Sequence, residues 1–266
     1  MNKYNETNKN IIIGAATGYQ KKDLFYFVET VRKVFSGRIF FIVNKTINSE
    51  TNHYLNKNKI DLFFTKLTSR TIYKDRYQIY LDIIKNNLNL EKVMLTDTKD
   101  VIFQSDPFLN KSLSNLNFFL EDKEIINCST NTRWILRSYG KIVYKKIKNK
   151  KISCSGVTIG CKKEIVQYCN QMIHEIKYKK YYSLNPFNKG SDQGNHNIIV
   201  NSAQFKTAKK FCNSDALVVN LSNSNEKIVK YANGKFSINK KIISVIHQYN
   251  SHKLIEKKVH YLVSKL

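Results

Sequence analysis

At 266 residues the chain has room for one large domain or two small ones, and for a substantial core. Hydrophobic residues make up 42% and aromatic residues 12%, which excludes a disordered chain. A formal net charge of +25 favours anionic partners. Arg, however, stands only at positions 32, 38, 70, 76, 133 and 137, so recognition of bases by arginine forks is disfavoured, and nucleic-acid binding with it. The abundance of Lys, Asn and Ile fits an AT-rich coding sequence, so part of the charge is compositional. The five cysteines (128, 154, 161, 169 and 212) include no C-x-x-C pair. They are expected to be reduced thiols of a cytosolic protein. Residues 1–10 are polar and no apolar run reaches membrane-spanning length, so the chain is expected to be cytoplasmic. Peripheral contact with an anionic membrane remains open to it.

Residues 11–18 form an apolar run ending in Gly14, Ala15, Ala16, Thr17 and Gly18. This is a buried strand whose small residues would let a ligand approach the backbone. Apolar positions at helical spacing over 23–35 predict a helix that Gly37 ends. Residues 38–43 and 60–64 predict two more strands, with a loose helix between them over 44–59. A long helix is predicted over 72–90. Arg76 falls on its apolar face, where it needs a partner: a structural salt bridge or a ligand's diphosphate.

The apolar run 92–95 ends in Thr96-Asp97-Thr98-Lys99-Asp100, and Val101-Ile102-Phe103 follows at once. A solvated turn is one reading of such a D-x-x-D. The other is a pair of carboxylates at the carboxyl end of a strand, whose repulsion a hard divalent cation relieves. The alternation up to this point predicts a mostly parallel α/β sheet flanked by helices.

Asp106-Pro107-Phe108 closes the aspartate loop. Strands are predicted over 116–119 and 124–128, a basic amphipathic helix over 133–147, and a strand of small residues over 152–160. The helix predicted over 164–178 is followed by a polar loop over 185–195. In that loop Asp192 either caps the following helix or, with Gln193, grips sugar hydroxyls. A strand is predicted over 217–221 and a hairpin over 236–246, ending at His247. His247 is either a surface histidine or a nitrogen ligand for the same cation. Residues 253–266 form a basic amphipathic tail.

Four places, in order, resemble the GT-A-fold nucleotide-sugar glycosyltransferases: Gly14 to Thr17, Leu95 to Val101, Ser155 to Gly160 with Ser191-Asp192-Gln193, and Val245 to Tyr249. The resemblance implies a GT-A-like mixed, mostly parallel sheet. It implies one catalytic domain over 1–266, with a nucleotide-binding half (1–110), an acceptor-binding half (111–250) and a basic tail (251–266). It further implies sugar transfer from a nucleotide-diphosphate sugar, UDP-sugar favoured, to a glycan, lipid-linked or polysaccharide acceptor, with Mn²⁺ or Mg²⁺. The family's D-x-D has one intervening residue, whereas two lie between Asp97 and Asp100. Either both reach the ion, or one holds ribose or a water. Asp100 is expected as a metal ligand, Asp97 at the metal or ribose edge, and His247 as the third ligand. Ala15, Ala16, Thr17, Arg76, Asp97, Gly156 and Gln193 are expected around the donor, and Asp192 on the acceptor side as general base or sugar-orienting group. Two other readings remain: a polyanion-binding protein, and a nucleotidyltransferase or phosphatase on an α/β fold.

Overall fold

The computed structural model describes residues 7–69, 71–178 and 191–265. Its centre is a seven-stranded sheet in the order β3-β2-β1-β4-β7-β6-β8. The first half is β1 (Asn10–Ala15), β2 (Arg38–Asn44), β3 (Ile60–Thr65) and β4 (Lys92–Asp97), all parallel. Both faces of this half are covered, so its strands are apolar without alternation, as parallel strands must be. Helices α1 (Lys21–Val34) and α2 (Ser49–Lys57) follow β1 and β2, and α3 (Ile72–Lys85) follows β3. Leu24, Phe27, Val28 and Val31 of α1 and Leu55 of α2 join one core cluster; Tyr77, Tyr80, Ile83 and Ile84 of α3 join the one on the other face.

The second half turns the strands over. After the short β5 (Val101–Phe103), β6 (Leu116–Glu124) and β7 (Lys151–Cys161) run antiparallel to each other, and β7 runs antiparallel to β4. Helix α4 (Ser129–Ile147) connects them, with a break at Gly140, whose φ of 74° no helix interior accommodates. Helix α5 (Lys162–Tyr178) packs beside α3, and α6 (Ser191–Val200) lies against β7. The short β8 (Lys209–Phe211) completes the sheet beside β6. A separate small sheet sets β13 (Val245–His247) between β5 and β9 (Val218–Asn220). Strands β10 (Lys230–Ala232), β11 (Lys235–Ile238) and β12 (Lys241–Ile242) form a meander, and α7 (Lys253–Ser264) closes the chain against α1.

Four local expectations differ from the structure. The helix expected to reach residue 90 ends at Lys85, where Asn87 Nδ2 turns back to donate to Ile83 O at 2.7 Å. The strand expected over 124–128 is instead the end of β6 and a single 3-10 turn, Ile125–Asn127, whose backbone N–H groups bond to Lys148 O and Lys150 O beyond α4. The late hairpin is smaller than expected. It joins β11 to β12 through Asn239 and Lys240, both at positive φ, as a tight hairpin turn requires. The chain then leaves it, because Ser244 N bonds to Ala216 O and carries β13 into the other sheet. The polar loop expected over 185–195 is helical from Ser191 onward; residues 185–190 lie outside the described residues.

Strand β4 pairs with β7 only as far as Thr96–Val157, so the β7 backbone at Ser153 and Ser155 runs past its neighbour. Two amides from α6 take the place of a strand. Ser155 N donates to Gln193 Oε1 at 2.8 Å, and Ser153 N to Asn197 Oδ1 at 2.9 Å. Gln193 Nε2 donates back to Ser153 O at 2.6 Å. Asn197 is fully buried, so Asn197→Leu leaves the Ser153 N–H without a partner. The expected loss is about 2 kcal/mol of unfolding free energy, measured by urea denaturation; an unchanged midpoint would remove Asn197 from this role.

Candidate metal centre and cavity

Three strand registers bring the site together. Ala15 pairs with Asp97 across β1 and β4, which places the aspartate loop at the carboxyl ends of parallel strands. Val101 pairs with His247 across β5 and β13, so the imidazole stands beside Asp100. Thr96 pairs with Val157, so Gly156 comes up under Asp97. The loop itself is pinned. Thr98 Oγ1 donates to Ala15 O at 2.8 Å, and Gln248 N donates to Asp100 O at 2.8 Å. Gly14 has its reason here: a Cβ at that position would collide with the Thr98 methyl group. The small residues at the end of β1 therefore admit the aspartate loop at Gly14. Ala15 and Thr17 line the cavity, while Ala16 is buried in the core behind them.

Asp97, Asp100 and His247 each offer one ligand atom, all within 4.8 Å of one another. The imidazole is fully buried and its orientation is determined by its neighbours. Asn220 Nδ2 donates to Phe119 O at 3.2 Å, which turns the amide oxygen towards His247 Nδ1, 2.8 Å away. Nδ1 must then carry a proton. In the neutral ring the lone pair is on Nε2, which points between the carboxylates: 3.5 Å from Asp97 Oδ2 and 3.7 Å from Asp100 Oδ1. Those distances are too long for hydrogen bonds, and Nε2 makes none among the described residues. A buried nitrogen without a partner, set against two carboxylates and steered from its other nitrogen, has the donor set and outer support of a divalent-cation site.

The charges around the triad set its protonation. Burial opposes the imidazolium, but Cys154, Asp97 and Asp100 around it raise its pKa well above the ordinary histidine value. A proton and a cation thus compete for the same position. Burial also works against charge on Asp97, yet His247 and Arg76 outweigh it and hold that carboxyl at about 2. Asp100 has no such guanidinium, and burial raises its pKa. Tyr19, on the cavity wall, is pushed up to about 12 by burial and by both aspartates.

Arg76 lies buried on α3 and is shared by two acids. Its Nη1 donates to Asp97 Oδ1 at 2.9 Å, and its Nη2 is ion-paired with Asp192 Oδ2. Asp192, in the first turn of α6, also accepts from the Tyr77 hydroxyl at 3.3 Å and from Gln193 N at 3.0 Å. It is buried and fully engaged, and it joins α6 to α3 and, through Arg76, to the aspartate loop. Gln193 uses both ends of its amide on β7, as described above.

These side chains line a cavity of about 640 Å³. Of the residues named from the sequence, Ala15, Thr17, Arg76, Asp97, Asp100, Gly156, Asp192 and Gln193 line it; Ala16 does not, and His247 lies beneath it, fully buried. The cavity also exposes Tyr19, Trp134, Glu121, Asn223 and Gln248, which sequence reasoning passed over. Glu121 carried a signal: it continues the inward face of Phe119 on an apolar strand, where a charge is costly. The others sit on a helix or in loops with no comparable signal. No protein-family model matches the chain, and no curated protein matches it.

Gly156 tests the centre without touching a ligand. A Cβ there would overlap His247 Cε1 and stand 2.7 Å from Asp97 Oδ2 and 2.8 Å from His247 Nε2. Gly156→Ala is expected to weaken Mn²⁺ binding by about tenfold or more, read by electron paramagnetic resonance of free Mn²⁺, with the circular dichroism spectrum unchanged. Equal Mn²⁺ affinity in the variant and the parent would rule out the triad as the binding site.

Proposed function

We propose that this protein is a divalent-metal-dependent glycosyltransferase that moves a sugar from a nucleoside-diphosphate sugar, UDP-sugar favoured, to a hydroxyl group of a glycan, lipid-linked or polysaccharide acceptor. The observation that carries the reading is His247 Nε2, buried without a partner and facing Asp97 and Asp100, two aspartates that line a polar cavity. Asp97, Asp100 and His247 would hold Mn²⁺ or Mg²⁺, which suit oxygen-rich sites shared with substrate phosphates. When bound, the ion neutralises charge that develops on the leaving diphosphate.

The chain's own residues supply the rest. The ends of β1 and the aspartate loop, with Thr17, Tyr19 and Ser69, form one wall of the cavity, where a nucleotide fits beside the carboxyl ends of parallel strands. Arg76 adds a fixed positive charge at the back of the site, and Lys99, paired with Asp23 at 2.9 Å, adds one at its rim. In this reading Asp192 orients Arg76. Its carboxylate is committed to that guanidinium, so it is a poor choice for the base that receives an acceptor proton. Gln193 holds β7 in place at the cavity wall. No helix among the described residues is long and apolar enough to cross a membrane, so a lipid-linked acceptor would be met at the membrane surface.

A ligand that binds only the folded state raises its melting temperature. UDP with Mn²⁺, at about a hundred times its Kd, is expected to raise the midpoint by about 5 °C or more, and UDP alone by much less. Asp100→Ala and His247→Ala are expected to abolish the metal-dependent part. If no nucleoside diphosphate shifts the protein with Mn²⁺ while heparin shifts it without metal, the polyanion-binding reading takes over.

A further inference from the structure

Four carboxylates line the cavity among the described residues: Asp97, Asp100, Asp192 and Glu121. Asp97 and Asp192 share Arg76, and Asp97 and Asp100 face His247. Glu121 has no cation. Its Oε2 accepts from Asn223 Nδ2, and its Oε1 has no hydrogen-bond partner among the described residues. Yet the side chain is only 4% exposed, and it sits on an inward-facing position of β6 that the pattern of the strand reserves for an apolar residue. Glu121 lines the cavity, so a ligand's donor can reach the carboxylate oxygen that Asn223 leaves open. Burial pushes this carboxyl above its usual range, against the opposing pull of Asn223, His247 and Lys123.

The position says which ligand group meets it. Leu120 pairs with Ser153 across β6 and β7, so Glu121 stands next to the stretch that carries Cys154, whose sulfur lies 3.7 Å from His247 Nδ1. It is therefore on the second-half side of the metal triad, away from the β1 wall. Gln248, directly after His247 and held at φ 61°, reaches the same corner; its side chain bonds to Ser222 N at 3.2 Å and lies 3.8 Å from Cys154 Sγ. Asn223 and Ser222, from the loop after β9, complete a polar corner with no lysine or arginine among the cavity residues there. A phosphate would find no counter-charge in such a corner. A sugar ring, which offers neutral hydroxyl donors, suits a lone carboxylate oxygen with an amide beside it.

We infer that Glu121, held by Asn223, is the sugar-hydroxyl acceptor of this cavity and a determinant of which sugar the site takes. The inference rests on the nucleotide-sugar reading above and goes past it by naming the residue that recognises the sugar. It is tested by titration calorimetry on the full chain with Mn²⁺, using UDP and a panel of UDP-glucose, UDP-galactose and UDP-N-acetylglucosamine. Glu121→Gln is expected to weaken binding of the preferred UDP-hexose by about ten- to a hundredfold, while UDP binding stays within about twofold. Asn223→Ala, which keeps the carboxylate but frees it, is expected to show the same selective pattern at about three- to tenfold, and it decides the matter if the Glu121 variant does not fold. Equal losses for UDP and UDP-hexose, or no loss for either, would overturn the inference while leaving the nucleotide reading intact. Failure of the parent protein to bind any nucleotide would overturn that reading, and this inference with it.

Discussion

Asp97 and Asp100 carry like charges on one short loop, and both halves of the fold answer that repulsion. One nitrogen-bearing side chain is brought to each side. Arg76 comes from α3 and takes Asp97 Oδ1; His247 comes from the far end of the chain and faces Asp97 Oδ2 and Asp100 Oδ1. Neither partner is cheap. A guanidinium and an imidazole are both withdrawn from water, and each is retained because acids surround it. Arg76 is also paired with a second acid, Asp192, so the same electrostatic requirement fixes the start of α6. Once α6 is fixed, its Gln193 and Asn197 complete the hydrogen bonding of β7 where β4 has ended. The site and the centre of the sheet are thus one network.

Buried polar side chains perform much of this positioning, and each is supported in turn. Asn220 orients His247 and receives support itself, since its own N–H donates to Asn213 Oδ1 at 2.9 Å. His196, also fully buried, bridges the Ser153 hydroxyl at 2.9 Å and the Tyr168 hydroxyl at 2.7 Å, and burial holds its pKa down at about 3, so it is a neutral strut between α6, β7 and α5. Satisfied networks of this kind give a core one arrangement rather than several. A few buried polar atoms among the described residues have no partner, and one of them, His247 Nε2, faces the two aspartates. A bound ion is one way in which such an atom is satisfied.

Much of the parallel half could be read directly. Its strands are short unbroken apolar runs and α1 has a clear helical period, because each element buries a continuous surface against its own neighbours in the chain. Asp97, Asp100 and His247 were legible too, as polar residues that directly follow apolar strands. Glu121 is legible only as the charged end of an apolar run that reads as a strand with or without it. The double role of Asp192 was out of reach, since its partner Arg76 is 116 residues away. So was the fate of residues 243–247: the expected strand breaks at Ile243 and Ser244, where one residue bonds back to β11 and the next to Ala216, just ahead of β9, and only Val245–His247 form β13.

The α/β class, the order of the main strands and helices in the first half, and the presence of carboxylates and a histidine at strand ends followed from local pattern alone. Hydrophobic periodicity is a property of neighbouring residues, and burial acts on it directly. Pairing is different. Which strand lies beside which, and in what register, depends on segments on the order of a hundred residues apart, and a shift of one residue turns every side chain to the other face. Only the folded chain sets Val101 opposite His247, Ala15 opposite Asp97 and Thr96 opposite Val157. Those three registers turn scattered polar residues into one centre, and the distance-dependence of electrostatics makes them a site rather than a set of surface charges.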